Sequence, residues 1–409
     1  MSEEMDSRST ATPLAGIQVV ELGGSVAAPY GSWILARLGA SVLKVERPEA
    51  GDDSRAWSTA RHSGFSAVFA ALNSGKKSAA VDLEDSRQRD ALHRYIIEKV
   101  DVVVQNLRPG VVESFGLGAE QLLSEKPELI YCNVSAYGDQ GPLAGKPGYD
   151  PLMQAFTGLM SVTGEPDSPP VRVGTSIVDM GTGMWCAIGV LGALQNRVRT
   201  GRGGRVDASL FETGLGWMTL HSSKYFGIGR IAERTGSATE SIAPYQAYRC
   251  KDGYLVIAAG NNRLFAKLSE ALGHGEWSDD KRFETNQQRM KNTQDLNAQI
   301  EAVTTTAPLS EWQKRLDEVG VPNAVIQNIA EAVTHAQSEA TGIIQRTDDG
   351  NFSLIGLPLM FDGVRPPQPL GPPQLGEYTE QLFASAAAEE NGAARREKSN
   401  RLVNVDQGE

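Results

Sequence analysis

GIQVVELGGSVAAPYGSWILARLGASVLKVE, from Gly16 to Glu46, is the stretch that decides the fold class. Residues 17–22 are a β-branched apolar run, 30–38 carry a helical pattern, and 41–45 form a second β-branched run. Strand, helix and strand in this compass make a βαβ unit. Its right-handed crossover lays two strands side by side and parallel.

The pattern continues outward. Further strands are predicted over 79–83, 102–105 and 129–135, with a helix over 86–99. Strands alternating with helices imply a parallel sheet, hence an α/β, Rossmann-like large domain. Helical patterns then dominate at 151–162, 180–198 and 207–226. Near residue 230 the character changes. Runs at 245–249 and 254–259 flank Lys251-Asp252-Gly253, a turn signal that predicts a hairpin. The expected division is a large domain over 13–227, completed by 331–386, and a smaller α+β domain over 228–330. A second hairpin is predicted to pair 342–345 with 351–355, and the Pro-rich stretch 366–373 reads as an extended strap. Residues 387–409 are small, polar and charged, the composition of a disordered tail.

Composition excludes several classes. Fifty acidic residues against 39 basic ones give a net charge of −11, which argues against general nucleic-acid binding. The uninterrupted apolar runs fall short of a bilayer span. Cys132, Cys186 and Cys250 are far apart and form no CxxC pair, which fits a reducing compartment. The first 12 residues match neither a signal nor a transit peptide, so a cytoplasmic location is expected. No metal site is predicted, because His62, His93, His221, His274 and His335 are scattered without ligand spacing. Gly75-Lys76 lacks the P-loop spacing, and Gly181-Thr182-Gly183 lacks the strand context of a dinucleotide fingerprint. With no histidine base in evidence, chemistry falls to carboxylates. Asp179 stands out: a β-type run from Val173 leads to it, and a glycine-spaced turn and the 180–198 helix follow. A carboxylate at a helix start is favoured by the dipole, and serves by default as a cap.

Several local signals, in order, resemble the family III (CaiB/BaiF-like) CoA-transferases, the group that includes formyl-CoA:oxalate and carnitine CoA-transferases. They are Pro13 to Glu21, Leu38 to Pro48, Leu72 to Ser78, Asn106 to Gly110, Gly148-Tyr149-Asp150, the Asp179 segment, Gly201 to Asp207, and Leu375-Gly376-Glu377. The resemblance implies that Asp179 is the catalytic nucleophile. It would attack an acyl-CoA thioester to give a mixed anhydride, then carry CoA as an aspartyl-CoA thioester. No tightly bound cofactor is implied; coenzyme A is a cosubstrate. Backbone N–H groups near Gly181 to Gly183 are candidate oxyanion donors. By the same resemblance Arg47, Leu72, Asn73, Gly75, Asn106, Leu107 and Arg108 would line the nucleotide site, with Lys76 and Lys77 supplying charge for phosphate. Tyr149 and Asp150 match a Tyr–acid pair beside the nucleophile.

Departures from the family pattern affect the substrate. Val26 stands where a glutamine is usual, Ser114 where an arginine is, and 235–240 holds one glycine in place of a run of four. Arg55, Arg61 and Arg172 are candidates to meet a distal carboxylate, which suggests a dicarboxylic acceptor such as itaconate, mesaconate or citramalate, with succinyl-CoA or acetyl-CoA as donor. The competing activity is an α-methylacyl-CoA racemase of the same family. That branch uses a histidine where this chain has Tyr149, and a tyrosine is a poor base near neutrality. A non-catalytic CoA-binding protein is the third reading. The resemblance also implies an interlocked homodimer.

Overall fold

The computed structural model describes residues 12–57 and 59–384. Its largest sheet has six strands: β1 (Gln18–Leu22), β2 (Ser41–Glu46), β3 (Lys77–Ala80), β4 (Val102–Gln105), β5 (Ile130–Ser135) and β6 (Gly204–Ser209). All neighbours are parallel, in the order β3-β2-β1-β4-β5-β6. The direction of winding reverses between β1 and β4, and the loops leaving those strands therefore diverge around a crevice. The predicted α/β class holds.

The β-branched runs have two partners because the sheet is covered on both faces. Val19, Val42, Val102, Val104, Ile130 and Cys132 enter one core. Val20, Leu22, Leu43, Val45, Val103 and Tyr131, the alternating neighbours, enter the other. Helices α1 (Ala27–Arg37) and α5 (Ile177–Thr200) lie in the first, and α3 (Ser86–Lys99) seals the second with Leu92 and Ile96. The remaining helices needed below are α2 (Ala67–Asn73), α4 (Asp150–Phe156) and α6 (Leu210–Trp217). Leu382, fully buried, brings the C-terminal segment back onto the second core.

Three sequence expectations are corrected. The run before Asp179 is not a strand, since α5 begins at Ile177 and places Asp179 in its first turn. Burial of Val178 and hydrogen bonding at the helix start override its β propensity. The 207–226 helix is instead β6, then α6, then Thr219–Ile228. Gly203 is what lets β6 form: a Cβ there would lie 1.9 Å from the Leu129 carbonyl oxygen, so only glycine can pass beside β5. The 151–162 helix is broken at Gly158 (φ +91°) into α4 and Leu159–Val162.

Helix α5 also has the length and apolar character of a bilayer crossing, which the short apolar runs did not predict. Val178, Cys186, Ala187, Val190 and Leu194 place one of its faces in the first core.

The chain forms two compact units. Among the described residues, the larger comprises those up to Leu159, Val173–Ser222 and those from Gln337 on; the smaller comprises Met160–Arg172 and Ser223–Ala336. In the smaller unit Tyr245–Arg249 and Tyr254–Ala258 make the predicted hairpin, extended by Asn323–Val325. Its own core includes Phe265, Leu268, Trp277, Phe283 and Trp312. The second hairpin pairs Ile344–Arg346 with Ser353–Ile355. The strap is non-helical, and its carbonyls at Pro367 and Pro373 accept hydrogen bonds from Arg37 and Arg55. The expected disordered tail at 387–409 lies outside the described residues.

Candidate active site

Beneath the carboxyl ends of β1 and β2 lies a buried ionic network. Glu21 is fully buried and receives the Lys44 ammonium at 2.6 Å and the Lys76 ammonium at 2.8 Å. Lys44 also meets Asp52 at 2.8 Å. Glu46 takes Nε and Nη2 of Arg55, both at 2.7 Å, with the Ser78 hydroxyl at 2.6 Å. Burial alone would raise the Glu21 carboxyl, yet Lys44 and Lys76 hold it below its ordinary value. Glu21 therefore stays ionised, while burial lowers the Lys76 ammonium to about 8, and the network supports the loop after β1. Asp52 accepts from the Ser25 N–H at 3.2 Å, and Ser25 adopts φ +68°. Asn106 grips the same loop reciprocally: its Oδ1 accepts from the Gly24 N–H at 3.0 Å, and its Nδ2 donates to the Gly24 carbonyl at 2.9 Å.

Above this floor opens a cleft of about 350 Å³. The loops after β1, β4 and β5 line it through Ser25 to Ala27, Asn106 to Pro109 and Ser135 to Gly138, where the switch-point rule for open parallel sheets places ligands. Its other wall carries Lys146, Tyr149, Asp150 and Asp179. Asp150 opens α4 and is buried; its Oδ2 accepts from the N–H groups of Val178 at 2.8 Å and Asp179 at 3.3 Å. One carboxylate thus caps the helix that bears the other. Burial, and then the Asp150 charge, push the Asp179 carboxyl up to about 7. A half-buried acid poised near neutrality, open to a cleft, can act as nucleophile or as proton carrier.

Of the sequence-predicted residues, the fold brings Asn106, Leu107, Arg108, Tyr149, Asp150 and Asp179 to the cleft. The others are elsewhere. Arg47 pairs with Asp53 at the surface. Leu72 and Asn73 are buried in α2, and Gly75 takes φ +82° with its N–H on the Gly371 carbonyl. Lys76 is buried against Glu21, the Pro29 carbonyl and Asn73, so its charge neutralises the floor and is not offered to a phosphate. Lys77 lies over the Tyr378 ring. Arg55 is committed to Glu46, and Arg61 bonds the Gly64 carbonyl. Neither lines the cleft, whose cations among the described residues are Arg108 and Lys146, and Arg172 belongs to the smaller unit.

The proposed oxyanion donors are also corrected. Gly181 and Gly183 lie inside α5. A Cβ on Gly183 would stand 2.7 Å from the Ala27 carbonyl oxygen, and one on Gly31 would stand 3.0 Å from the Gly183 carbonyl oxygen. These glycines permit the close crossing of α1 and α5. The N–H groups of Ile177, Val178, Asp179 and Met180 are already taken by Thr175, Asp150 and Ser176. Sequence reasoning missed Trp57 and Lys146, which line the cleft, and Gln154, which bonds Asp150. The signal available for Gln154 was its position four residues after Asp150, one helical turn.

With the fold and cleft established, comparison with known proteins gives a consistent result. The model of CoA-transferase family III matches residues 14–379. The chain is 33% identical over 384 residues to succinyl-CoA:glutarate CoA-transferase of Mus musculus, covering 93% of this chain and 88% of that protein. It is 34% identical over 380 residues to acetyl-CoA:oxalate CoA-transferase of Acetobacter aceti, covering 92% and 97%. A CAIB/BAIF family protein from Brucella suis superimposes with a TM-score of 0.84 at 36% identity, over 92% of this chain and all of that one. The chain belongs to the family III CoA-transferases. It is an enzyme that transfers CoA.

Proposed function

We propose that this enzyme moves CoA from a small acyl-CoA, such as succinyl-CoA or acetyl-CoA, to a small dicarboxylic acid through covalent intermediates on Asp179. The carrying observation is that Asp179, its carboxyl near 7, faces the switch-point cleft, which holds no histidine among the described residues that line it. The Asp179 carboxylate attacks the donor carbonyl, and the CoA thiolate leaves. The thiolate then attacks the aspartyl carbonyl of the mixed anhydride and releases the donor acid. The acceptor carboxylate attacks the aspartyl-CoA thioester, the thiolate leaves again, and it takes the acceptor's acyl carbon from the second anhydride. Asp179 is regenerated without any change of oxidation state.

Arg108 and Lys146 are the cations available for the CoA phosphates or a distal carboxylate. A dicarboxylic acceptor is supported by the glutarate and oxalate named for the two relatives. Racemization would require two opposed proton carriers, and Tyr149 is the candidate beside Asp179. A homodimer is supported by the outer face of α5, where Met184, Trp185 and Ile188 are 45%, 50% and 52% exposed.

Thioester exchange across a panel of acyl-CoAs and free acids, followed by mass spectrometry, tests the reading. Hydroxylamine should trap an adduct that maps to Asp179. Full exchange by Asp179→Ala, or an adduct elsewhere, would overturn the mechanism. Loss of α-deuterium without exchange would favour racemization.

A further inference from the structure

Gln154 sits one turn after Asp150 on α4 and is fully buried. A buried amide must satisfy both its donor and its acceptor, so the destinations of its bonds are informative. Nε2 donates to Asp150 Oδ1 at 2.5 Å and to the Thr175 carbonyl at 3.5 Å, and Oε1 accepts from the Val173 N–H at 2.8 Å. Asp150 Oδ2 takes the Val178 and Asp179 N–H groups. One side chain therefore ties the acid that caps α5 to the segment that leads the chain into α5. Asp179 sits where these two supports meet.

We propose that Gln154 is a positioning residue of the transfer reaction, holding Asp150 and residues 173–175 so that Asp179 faces the cleft in a reactive state. This rests on Asp179 being the nucleophile. An amide suits the task because it donates and accepts at once. A methionine of the same length can do neither, and a glutamate would set a second acid against Asp150. The amide holds Asp150 at 2.5 Å beside the start of α5, and the Asp150 charge is one of the two causes that raise the Asp179 carboxyl. Without the amide, Asp150 loses the contact that holds it against the start of α5, its charge acts less on Asp179, and Asp179 ionises at lower pH. The other titratable groups lining the cleft among the described residues are Arg108, Lys146, Tyr137 and Tyr149.

The experiment measures hydroxylamine-trapped adduct and steady-state exchange with acetyl-CoA and succinyl-CoA, from about pH 5 to about pH 9. Gln154→Met should lower the plateau rate by about tenfold, with little change in KM, and move the pH midpoint down by about one unit. Asp150→Asn should move the midpoint the same way, and Gln154→Met should then add no further shift, as expected for residues acting in series. If Gln154→Met does not fold, Gln154→Asn keeps the amide but is one methylene too short to span both supports, and the same shift is expected. An unmoved or raised midpoint, or additivity with Asp150→Asn, overturns the proposal while leaving Asp179 as nucleophile. Absence of an Asp179 adduct in the unaltered enzyme overturns both.

Discussion

If Asp179 is the nucleophile proposed above, it carries opposite demands from catalysis and from stability. The attacking form would be the carboxylate, while burial and Asp150 favour the acid. The transfer rate should therefore climb with pH and level off above about 7, falling close to tenfold per unit below it. The folded protein binds this proton more tightly than the unfolded chain does. That contribution to stability is complete below the ordinary carboxylate range and is lost as pH rises to about 7. Asp179→Asn keeps the shape without the charge, so it should be more stable by ~1–3 kcal/mol at about pH 8, the gap closing toward about pH 4. Thermal melts across pH read the gap, and transfer activity should meanwhile fall about a thousandfold. At this scale Asp179 was legible as an acid before a helix, and Tyr149 and Asp150 were legible through the Gly148-Tyr149-Asp150 motif of the resemblance. Lys76 was not: its composition reads as phosphate-binding charge, but Glu21, 55 positions away, claims it.

Among the elements, the βαβ pattern from Gly16 to Glu46 was readable because strand and helix periods differ. The start of α5 was not, because its cap comes from Asp150, 28 positions upstream of Val178. The glycines of α5 look like a turn in the sequence, whereas in the fold they mark where α1 passes. Gly183→Ala forces the two helices apart against backbone atoms at 2.7 Å and 2.9 Å. It should destabilise by about 1–3 kcal/mol. Because α5 carries Asp179, kcat should drop with it; denaturant unfolding and initial rates measure the two effects, and a neutral Gly183→Ala would count against the close crossing.

Across the whole molecule, the segments that carry the family resemblance and the candidate substrate arginines divide into two groups. Asn106 to Arg108 reach the cleft, whereas Glu21, Lys44, Glu46, Asp52, Arg55 and Lys76 balance one another beneath it. Lys44→Met would leave Asp52 without its cation and Glu21 with one lysine of two. A loss of about 3–5 kcal/mol is expected, visible as a lower denaturation midpoint. Arg47→Ala, at an exposed pair, should change stability by less than about 1 kcal/mol in the same measurement. The sequence alone determined the parallel α/β class, because periodicity acts over a few residues, and its ordered motifs, through the family resemblance, singled out Asp179 and Asp150. Only the tertiary structure decided the sixth strand, which cations face the cleft and which are buried, and that Gln154 braces the acid pair. Each of those depends on atoms brought together from distant positions, where burial and hydrogen-bond satisfaction outweigh local preference.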